Sequence, residues 1–290
     1  MPNEFMDRLW KYATRTIAVL LVIFTIFGFL FPVYTVTVYP FSNEKNFPRE
    51  NHRLVPPEWG QNGSLFYHFK DLFESKPQVL HTLKNSIIIA IATTFLSLVI
   101  AAPAAFGFSR FKFRGRMFFW WSFTFFIMLP DLLYANALYK MYFDLNLLNT
   151  YHGLIFIHSM RAIPYVLFVL YGIFQSIPTT LEEAAYTLGC NRFQTLVRVT
   201  IPMALPGVAV ASIFAFLRSW DEFVLTMYLG GTETQTIVTL ASSMLLGANK
   251  NPLQASTVSV IMMIPVIIFI FFTQKHMKAG YLAGAMARTY

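Results

Sequence analysis

Residues 181–207 read LEEAAYTLGCNRFQTLVRVTIPMALPG and lie between two long apolar runs of the chain. This stretch carries two adjacent carboxylates, two arginines, a glycine near its middle, and prolines close to its end. A polar segment that also contains glycine and proline, inside an otherwise apolar sequence, needs an explanation of its own. That explanation depends on its local structure and on what the flanking runs are.

Two short amphipathic helices that meet at a sharp angle are predicted within this stretch. Thr180 and Glu183 have the spacing of a capping box, which would start the first helix, and Gly189 permits the left-handed backbone that would end it. Asn191 and Gln194 form a second possible capping box. Each helix is too short to be stable alone in water, so its apolar face must be buried on the chain itself or in a groove of a partner. The two faces consist of Leu181, Ala184, Ala185 and Leu188, and of Phe193, Leu196, Val197 and Ile201.

The composition of the whole chain is that of a membrane protein. Of its 290 residues, 56% are hydrophobic and 12% charged, with a mean hydropathy of +0.53, whereas ordinary soluble domains have about 25% charged residues. A helix needs about 20 apolar residues to cross a bilayer, and six runs approach or exceed that length, at roughly 16–36, 85–109, 117–143, 153–175, 203–229 and 253–273. The runs are too long and too continuously apolar for barrel strands. The sequence therefore predicts an all-α membrane protein with six transmembrane helices.

The basic residues predict the orientation of these helices. If six helices alternate across the membrane, one side receives Arg8, Lys11, Arg15, Arg110, Lys112, Arg114, Arg116, Arg192, Arg198, Lys275, Lys278 and Arg288. The other side receives Lys45, Arg49, Arg53, Lys70, Lys76, Lys84 and Lys250, mostly spread through one long loop that counts little. Both termini are thus expected in the cytoplasm, and the net charge of +8 reflects topology rather than nucleic-acid binding. Likewise, the basic and aromatic loop RFKFRGR at 110–116 is interpreted as an anchor at the membrane interface.

The chain divides into three predicted regions. Residues 1–36 form a cytoplasmic N-terminus and an uncleaved first span, since no small-x-small cleavage site follows the first apolar run. Residues 37–84 form an extracytoplasmic loop that either docks an external partner or caps the helices, with a short amphipathic helix at 66–73. Residues 85–290 form the core of the chain, and the polar stretch quoted above belongs to a loop at about 178–206.

Charged residues inside the predicted spans are costly in lipid and are candidates for function. Arg218 stands three residues before Asp221 and four before Glu222, so all three could meet on one helical face. They would then either neutralise one another as a structural ion pair or line a polar path for a solute, together with Asp131 and Arg161. Helices are expected to break or kink at Pro130, Pro164 and Pro265.

Catalytic and metal-binding motifs are missing from the sequence. It has no P-loop, no H-E-x-x-H, no C-x-x-C and no G-x-S-x-G, and its six histidines show no ligand spacing. Cys190 is the one cysteine, so neither a disulfide nor a cysteine-based metal cluster is possible within the chain. We therefore predict that this chain is not an enzyme and binds no metal.

The segment 181–207 resembles the "EAA" motif, E-A-A-x3-G-x9-I-x-L-P, of membrane subunits of binding-protein-dependent ABC importers. Glu183-Ala184-Ala185, Gly189 and Val199-Thr200-Ile201-Pro202 match every step of its spacing. Other stretches resemble maltose-type carbohydrate permeases, specifically the smaller six-span partner of a permease pair: LKNSIIIA at 83–90, FSRFKFRGR at 108–116, LLNTYHGLIF at 147–156, SIPTTLEEAA at 176–185, WDEF at 220–223 and AGYLAGAM at 279–286. Leu188, Cys190 and Asp221 depart from the sugar-permease pattern.

The resemblance implies a six-helix permease fold, a bacterial cytoplasmic (inner) membrane location and a set of partners. These are a second permease subunit, two ATP-binding cassette ATPase subunits and an extracytoplasmic solute-binding protein. ATP and Mg would be bound by the partner ATPase, and this chain would bind no cofactor. The loop would sit in a groove of the ATPase, with coupling residues Glu182, Glu183, Ala184, Ala185, Gly189, Arg192 and Pro202.

The resemblance also implies a solute, which would be a sugar, an oligosaccharide or a polyol. The expected lining of its path comprises Asp131, Tyr134, Asn136, Tyr139, Arg218, Trp220, Asp221 and Glu222. An alternative is a polyamine or another cationic or zwitterionic solute, which Asp131, Asp221 and Glu222 would neutralise. A secondary transporter or channel is a further class, and it would leave the spacing of the loop unexplained.

Overall fold

The computed structural model describes residues 2–43, 59–62, 64–246 and 251–286, without the side chains of 2–9, 11, 272–273 and 275–286. About a third of the predicted extracytoplasmic loop, namely 44–58 and 63, lies outside the described residues. So do the basic residues Lys45, Arg49, Arg53, Lys250 and Arg288 that entered the topology prediction.

The described chain is almost entirely helical. Its α-helices are α1 Pro2–Val38, α2 Tyr67–Ser75, α3 Gln78–Arg110, α4 Arg116–Met128, α5 Asp131–Asp144, α6 Tyr151–Ser176, α7 Thr179–Thr187, α8 Arg192–Thr195, α9 Ile201–Met203, α10 Leu205–Trp220, α11 Val224–Leu229, α12 Ile237–Leu246 and α13 Pro252–Met286. A 3₁₀ turn, Tyr39–Phe41, follows α1, and a π-helical turn, Leu196–Thr200, joins α8 to α9. The short helix predicted at 66–73 is α2.

Four helical segments are long and apolar enough to cross a membrane unbroken: Tyr12–Phe41, Gln78–Arg110, Tyr151–Ser176 and Pro252–Phe271. Two further spans are bent pairs. Helices α4 and α5 meet at 97°, and Arg192–Met203 meets α10 at 87°. With each pair taken as one span, the described residues give the six predicted spans.

The prolines act differently from one another. Pro130 immediately precedes α5 at the 97° bend, as expected for a residue that cannot continue a helix. Pro164 and Pro265 lie inside the single helices α6 and α13, so neither helix breaks there, and a kink at these prolines stays a prediction. The predicted fifth span, 203–229, is instead interrupted after Trp220, and α12 was not predicted at all.

Small side chains bring three helices close together in the centre of the fold. Ala101 and Ala105 of α3, Ala162 of α6, and Ala211 and Ala215 of α10 are fully buried in one cluster. Between helices in lipid, packing rather than the hydrophobic effect favours association, and small residues permit it. This α3–α6–α10 core is the frame on which the loop and the polar residues are held.

Candidate transport path and coupling surface

The segment from α7 to α8 is a helix–turn–helix whose turn was largely predictable. Gly189 has φ +87°, its N–H donates to the Tyr186 carbonyl at 3.0 Å, and the Cys190 N–H donates to the Ala185 carbonyl at 3.0 Å. This is the Schellman arrangement that ends a helix. Asn191 and Gln194 form the predicted capping box, with bonds of 2.8 and 2.9 Å. The predicted box at the start of α7 is wrong, because Pro178 occupies the cap position and no side chain caps the helix.

Glu182 fixes this helix pair to the core. Its carboxylate accepts hydrogen bonds from Nε and Nη2 of Arg110, both at 2.9 Å, and from the Thr200 hydroxyl at 3.1 Å. Only 3% of Glu182 is exposed. The resemblance implies that Glu182 takes part in coupling to a partner, but its carboxylate turns inward, towards the end of α3, and is buried.

The opposite side of the helix pair is exposed and largely apolar. Leu188 is 86% and Phe193 69% exposed, and Glu183 and Ala184 are exposed between them. Of the predicted apolar faces, only Ala185 and Leu196 are buried on the chain itself. The remaining predicted coupling residues lie nearby: Arg192 stacks over the Phe111 ring at 4.6 Å, and Pro202 is exposed. The folded chain thus presents an exposed, largely apolar surface (Leu181, Glu183, Ala184, Leu188 and Phe193), named the coupling surface for the role proposed below.

A polar cluster lies where α5 begins after the 97° bend. Asp131 forms an ion pair with Nη2 of Arg161 at 2.8 Å, and its other oxygen accepts from the Tyr134 hydroxyl. Arg161 is 5% exposed, and its Nε and Nη1 have no hydrogen-bond partner. The structure therefore brings together three predicted polar residues, but it uses the Asp131 carboxylate to compensate a buried arginine.

The expected grouping of Arg218, Asp221 and Glu222 on one helical face is wrong. Helix α10 ends at Trp220, so Asp221 is exposed while Glu222 is 6% exposed and accepts from the Leu225 N–H at 3.2 Å. Arg218 forms no ion pair with either carboxylate in the described structure and lies over the Tyr165 ring at 5.2 Å. Asp221 caps α10, its N–H donating to the Leu217 carbonyl at 3.1 Å, whereas Glu222 lies beyond the helix.

The other predicted path residues are dispersed. Trp220 is 4% exposed and stacks on Phe216 at 5.4 Å inside the core, so its assignment to the lining is wrong. Asn136 and Tyr139 lie on the exposed surface of α5. Neither contributes to the polar cluster at Asp131.

A groove of about 610 Å³ lies between α11, the turn at 230–236 and α12. None of the predicted path residues lines it. Most of its exposed lining is apolar in area, although uncharged polar side chains are interspersed along it. The lining residues are Thr226, Thr232, Gln235, Thr239, Ser242, Ser243, Phe223, Met227 and Leu246, with Gly230 and Gly231 at the turn. We call it the hydroxyl groove. In the sequence, the groove is indicated by hydroxyl side chains at Thr239, Ser242 and Ser243 in the otherwise apolar helix α12.

Two polar side chains that were not among the predicted site residues, His158 and Asn85, hold the elements around this groove. The ring nitrogens of His158 lie 2.8 Å from the Ser219 hydroxyl and 3.0 Å from that of Thr226, which ties α6 to α10 and α11. Asn85 of α3 donates to the carbonyls of Glu233 and Gln235 at 2.9 and 3.0 Å. Both residues are polar positions within apolar runs, which was the available signal.

Residues 94–281 match the family described as "Binding-protein-dependent transport system inner membrane component". The chain belongs to this family. The matched region contains the whole coupling surface and the hydroxyl groove.

Named relatives in this family cover most of the chain. The diacetylchitobiose uptake system permease protein DasC of Streptomyces coelicolor is 29% identical over 99% of both chains. The trehalose transport system permease protein SugB of Mycobacterium tuberculosis is 28% identical over 74% of this chain and 78% of its own. They are named as transport permeases, which confirms the predicted role of a transport subunit rather than an enzyme.

Solved structures share the fold. A chain of a bacterial ABC transporter involved in the import of the acidic polysaccharide alginate matches with a TM-score of 0.73 and 22% identity, over 93% of this chain and 96% of that one. This match confirms the predicted permease fold of an ABC importer.

Proposed function

We propose that this chain is a permease subunit of an ATP-driven importer for a sugar, an oligosaccharide or a polyol in the bacterial cytoplasmic membrane. It would form the translocation path with a second permease, and both termini would lie in the cytoplasm. An extracytoplasmic solute-binding protein would deliver the solute to the opposite face. The observation that carries this proposal is the rigidly anchored coupling surface of a chain in this family.

An ATPase subunit is the partner that fits the coupling surface. Leu188 and Phe193 give it a large exposed apolar area. The small side chain of Ala184 permits close approach of a partner, and Glu183 adds an exposed charge. Behind it, the Arg110–Glu182 ion pair ties the surface to α3 without a flexible joint. A push from the ATPase would therefore reach the spans, which is what coupling of two sites through a two-state element requires. ATP and Mg would be held by that partner.

The charge distribution favours a neutral solute over a polyamine. The hydroxyl groove has hydroxyl and amide groups and no carboxylate, together with Phe223 as an apolar wall, which suits hydrogen bonding and stacking with a sugar. Asp131 is already paired with Arg161, Glu222 is buried, and Asp221 is exposed but does not line the groove. The names of the diacetylchitobiose and trehalose permeases point in the same direction.

Replacing Leu188 tests the coupling role. In the assembled transporter, Leu188→Ser is expected to reduce co-purification of the ATPase and ATP-dependent uptake at least several-fold, with normal membrane insertion. Leu145→Ser is the matched control, because Leu145 is also an exposed leucine directly after a helix. Equal ATPase recovery from both variants would reject the assignment of the coupling surface.

Competition experiments test the solute class. Uptake of a radiolabelled sugar mixture by cells that carry the complete transporter should be inhibited by oligosaccharides or polyols and not by polyamines. Inhibition by polyamines alone would replace the sugar assignment with the cationic alternative.

A further inference from the structure

A second cavity, of about 490 Å³, lies at the turn between α3 and α4. It is lined by Phe113, Gly115, Arg116, Met117, Trp120 and Tyr171. The Trp120 and Tyr171 rings pack at a centroid distance of 4.6 Å. Nη2 of Arg116 donates to the Tyr171 hydroxyl at 2.7 Å, and its guanidinium lies 5.6 Å from the centre of that ring. A positioned cation therefore stands against an aromatic wall.

The charge of this cation is not compensated within the described chain. Arg116 has only the neutral Tyr171 hydroxyl as a side-chain partner and no carboxylate within 4.0 Å. Arg110, at the other end of the same turn, is by contrast neutralised by Glu182. Lys112 and Arg114 are exposed on the turn and add to the positive potential. The cavity is thus suited to an anionic group.

The surroundings of the cavity are apolar and face outward. No residue of α4 is buried, and Met117, Phe118 and Trp121 expose most of their side chains. In a chain of an inner-membrane family, we assign this outward apolar surface of α4 to the lipid-facing side. Trp and Tyr concentrate at the level of the head groups, which is where Trp120 and Tyr171 would place this turn. A ligand that fits both the cation at Arg116 and the apolar surface of α4 has an anionic head and an apolar body.

We propose that this cavity binds the head group of an anionic phospholipid. The phosphate would accept hydrogen bonds from the free donors of Arg116, and the acyl chains would run along α4. Basic pockets between helices at the membrane surface are known to recognise such head groups. The left-handed Gly115, at φ +87°, leaves room beside the backbone, because an added Cβ would meet only Phe119 at 3.8 Å. A bound lipid would brace the turn that also carries Arg110 and hence the coupling surface.

The test uses the full-length protein in nanodiscs of phosphatidylcholine, with and without phosphatidylglycerol. Phosphatidylglycerol should raise the thermal unfolding midpoint of the wild type, and Arg116→Gln should lose that rise. Arg114→Gln removes the same charge from the same turn but does not line the cavity, so it should keep the rise. Equal losses in the two variants would show a diffuse surface charge instead of a site.

Two further arms separate the remaining outcomes. Inorganic phosphate added to phosphatidylcholine nanodiscs should produce no rise, and an equal rise would overturn the lipid assignment in favour of a free-anion site. Should Arg116→Gln fail to fold, Tyr171→Phe removes only the hydroxyl that positions the guanidinium. It should reduce the retention of phosphatidylglycerol in native mass spectrometry, and unchanged retention would overturn the proposal.

Discussion

Glu182 and Glu183 are neighbours of identical chemistry with opposite environments. Glu182 is buried against Arg110 and Thr200, whereas Glu183 is exposed on the coupling surface. One is a structural anchor, and the other is available to a partner.

Glu182→Gln is expected to destabilise the fold. It leaves Arg110 as a nearly buried charge without its counter-ion, and breaking a buried pair from one side costs about 3–5 kcal/mol. Glu183→Gln should change stability by less than about 0.5 kcal/mol, as is usual for surface substitutions. Denaturation in detergent measures both, and comparable losses would contradict the assignment. In the double variant with Arg110→Gln, the loss should be smaller than the sum of the single losses.

Gly189→Ala is expected to strain the turn of the coupling surface. Nothing lies within 4 Å of an added Cβ, so the cost comes from the left-handed backbone alone and amounts to about 1–2 kcal/mol. Gly189→Asn should cost less, because asparagine adopts this conformation more readily. Stability and ATP-dependent uptake are the measurements, and an alanine variant as active and stable as the wild type would show that the turn is not under this constraint.

At the scale of elements, the close crossing of α6 and α10 depends on a glycine, Gly207, which has no side chain. An added Cβ at Gly207 would overlap the side chain of Ile173. The two helices therefore approach as closely as they do because glycine is at the contact.

Gly207→Ala is expected to destabilise the protein through overpacking, by about 1–3 kcal/mol. Gly172→Ala is the matched control within α6, since no atom lies within 4 Å of its added Cβ. A helical glycine in open space should instead gain about 0.5–1 kcal/mol when replaced by alanine. Unfolding measurements on both variants decide the matter. Rescue of Gly207→Ala by Ile173→Ala would identify the contact, whereas absence of rescue would place the strain elsewhere.

At the scale of the whole molecule, the charged and the uncharged polar groups are segregated. Asp131 and Arg161 neutralise one another beside the bend between α4 and α5, while the hydroxyl groove is formed on α11 and α12. If the solute is a sugar, substitutions in the groove should change transport more than substitutions of surface amides elsewhere.

Gln235→Leu is expected to raise the KM of sugar uptake. It removes one amide from the groove wall, and a hydrogen bond worth about 0.5–1.5 kcal/mol corresponds to a roughly 2- to 10-fold change. Gln254→Leu on α13 is the control, because Gln254 does not line the groove. An unchanged KM for Gln235→Leu would exclude the groove as a solute contact.

The local features of this protein were determined by the sequence. Six apolar runs predicted six spans, Asn191 and Gln194 predicted a capping box, and Gly189 predicted the turn between the two short helices. All of these depend on residues within one helical turn or one continuous run, where periodicity and backbone preference act directly. The EAA spacing, also local, was sufficient to indicate the family.

The tertiary structure decided everything that depends on partners distant in sequence. Glu182 is buried because Arg110, 72 residues away, reaches it. Trp220 is in the core because it belongs to one buried cluster with residues of other helices, such as Leu72, Ile237 and Val258. The end of α10 at Trp220 placed Glu222 outside the helix and buried, although helical spacing alone would have put it on one face with Arg218. In an apolar chain, hydropathy does not distinguish a helix face in lipid from one in the core, so only the packing of α3, α6 and α10 determines which polar groups are anchors and which remain exposed.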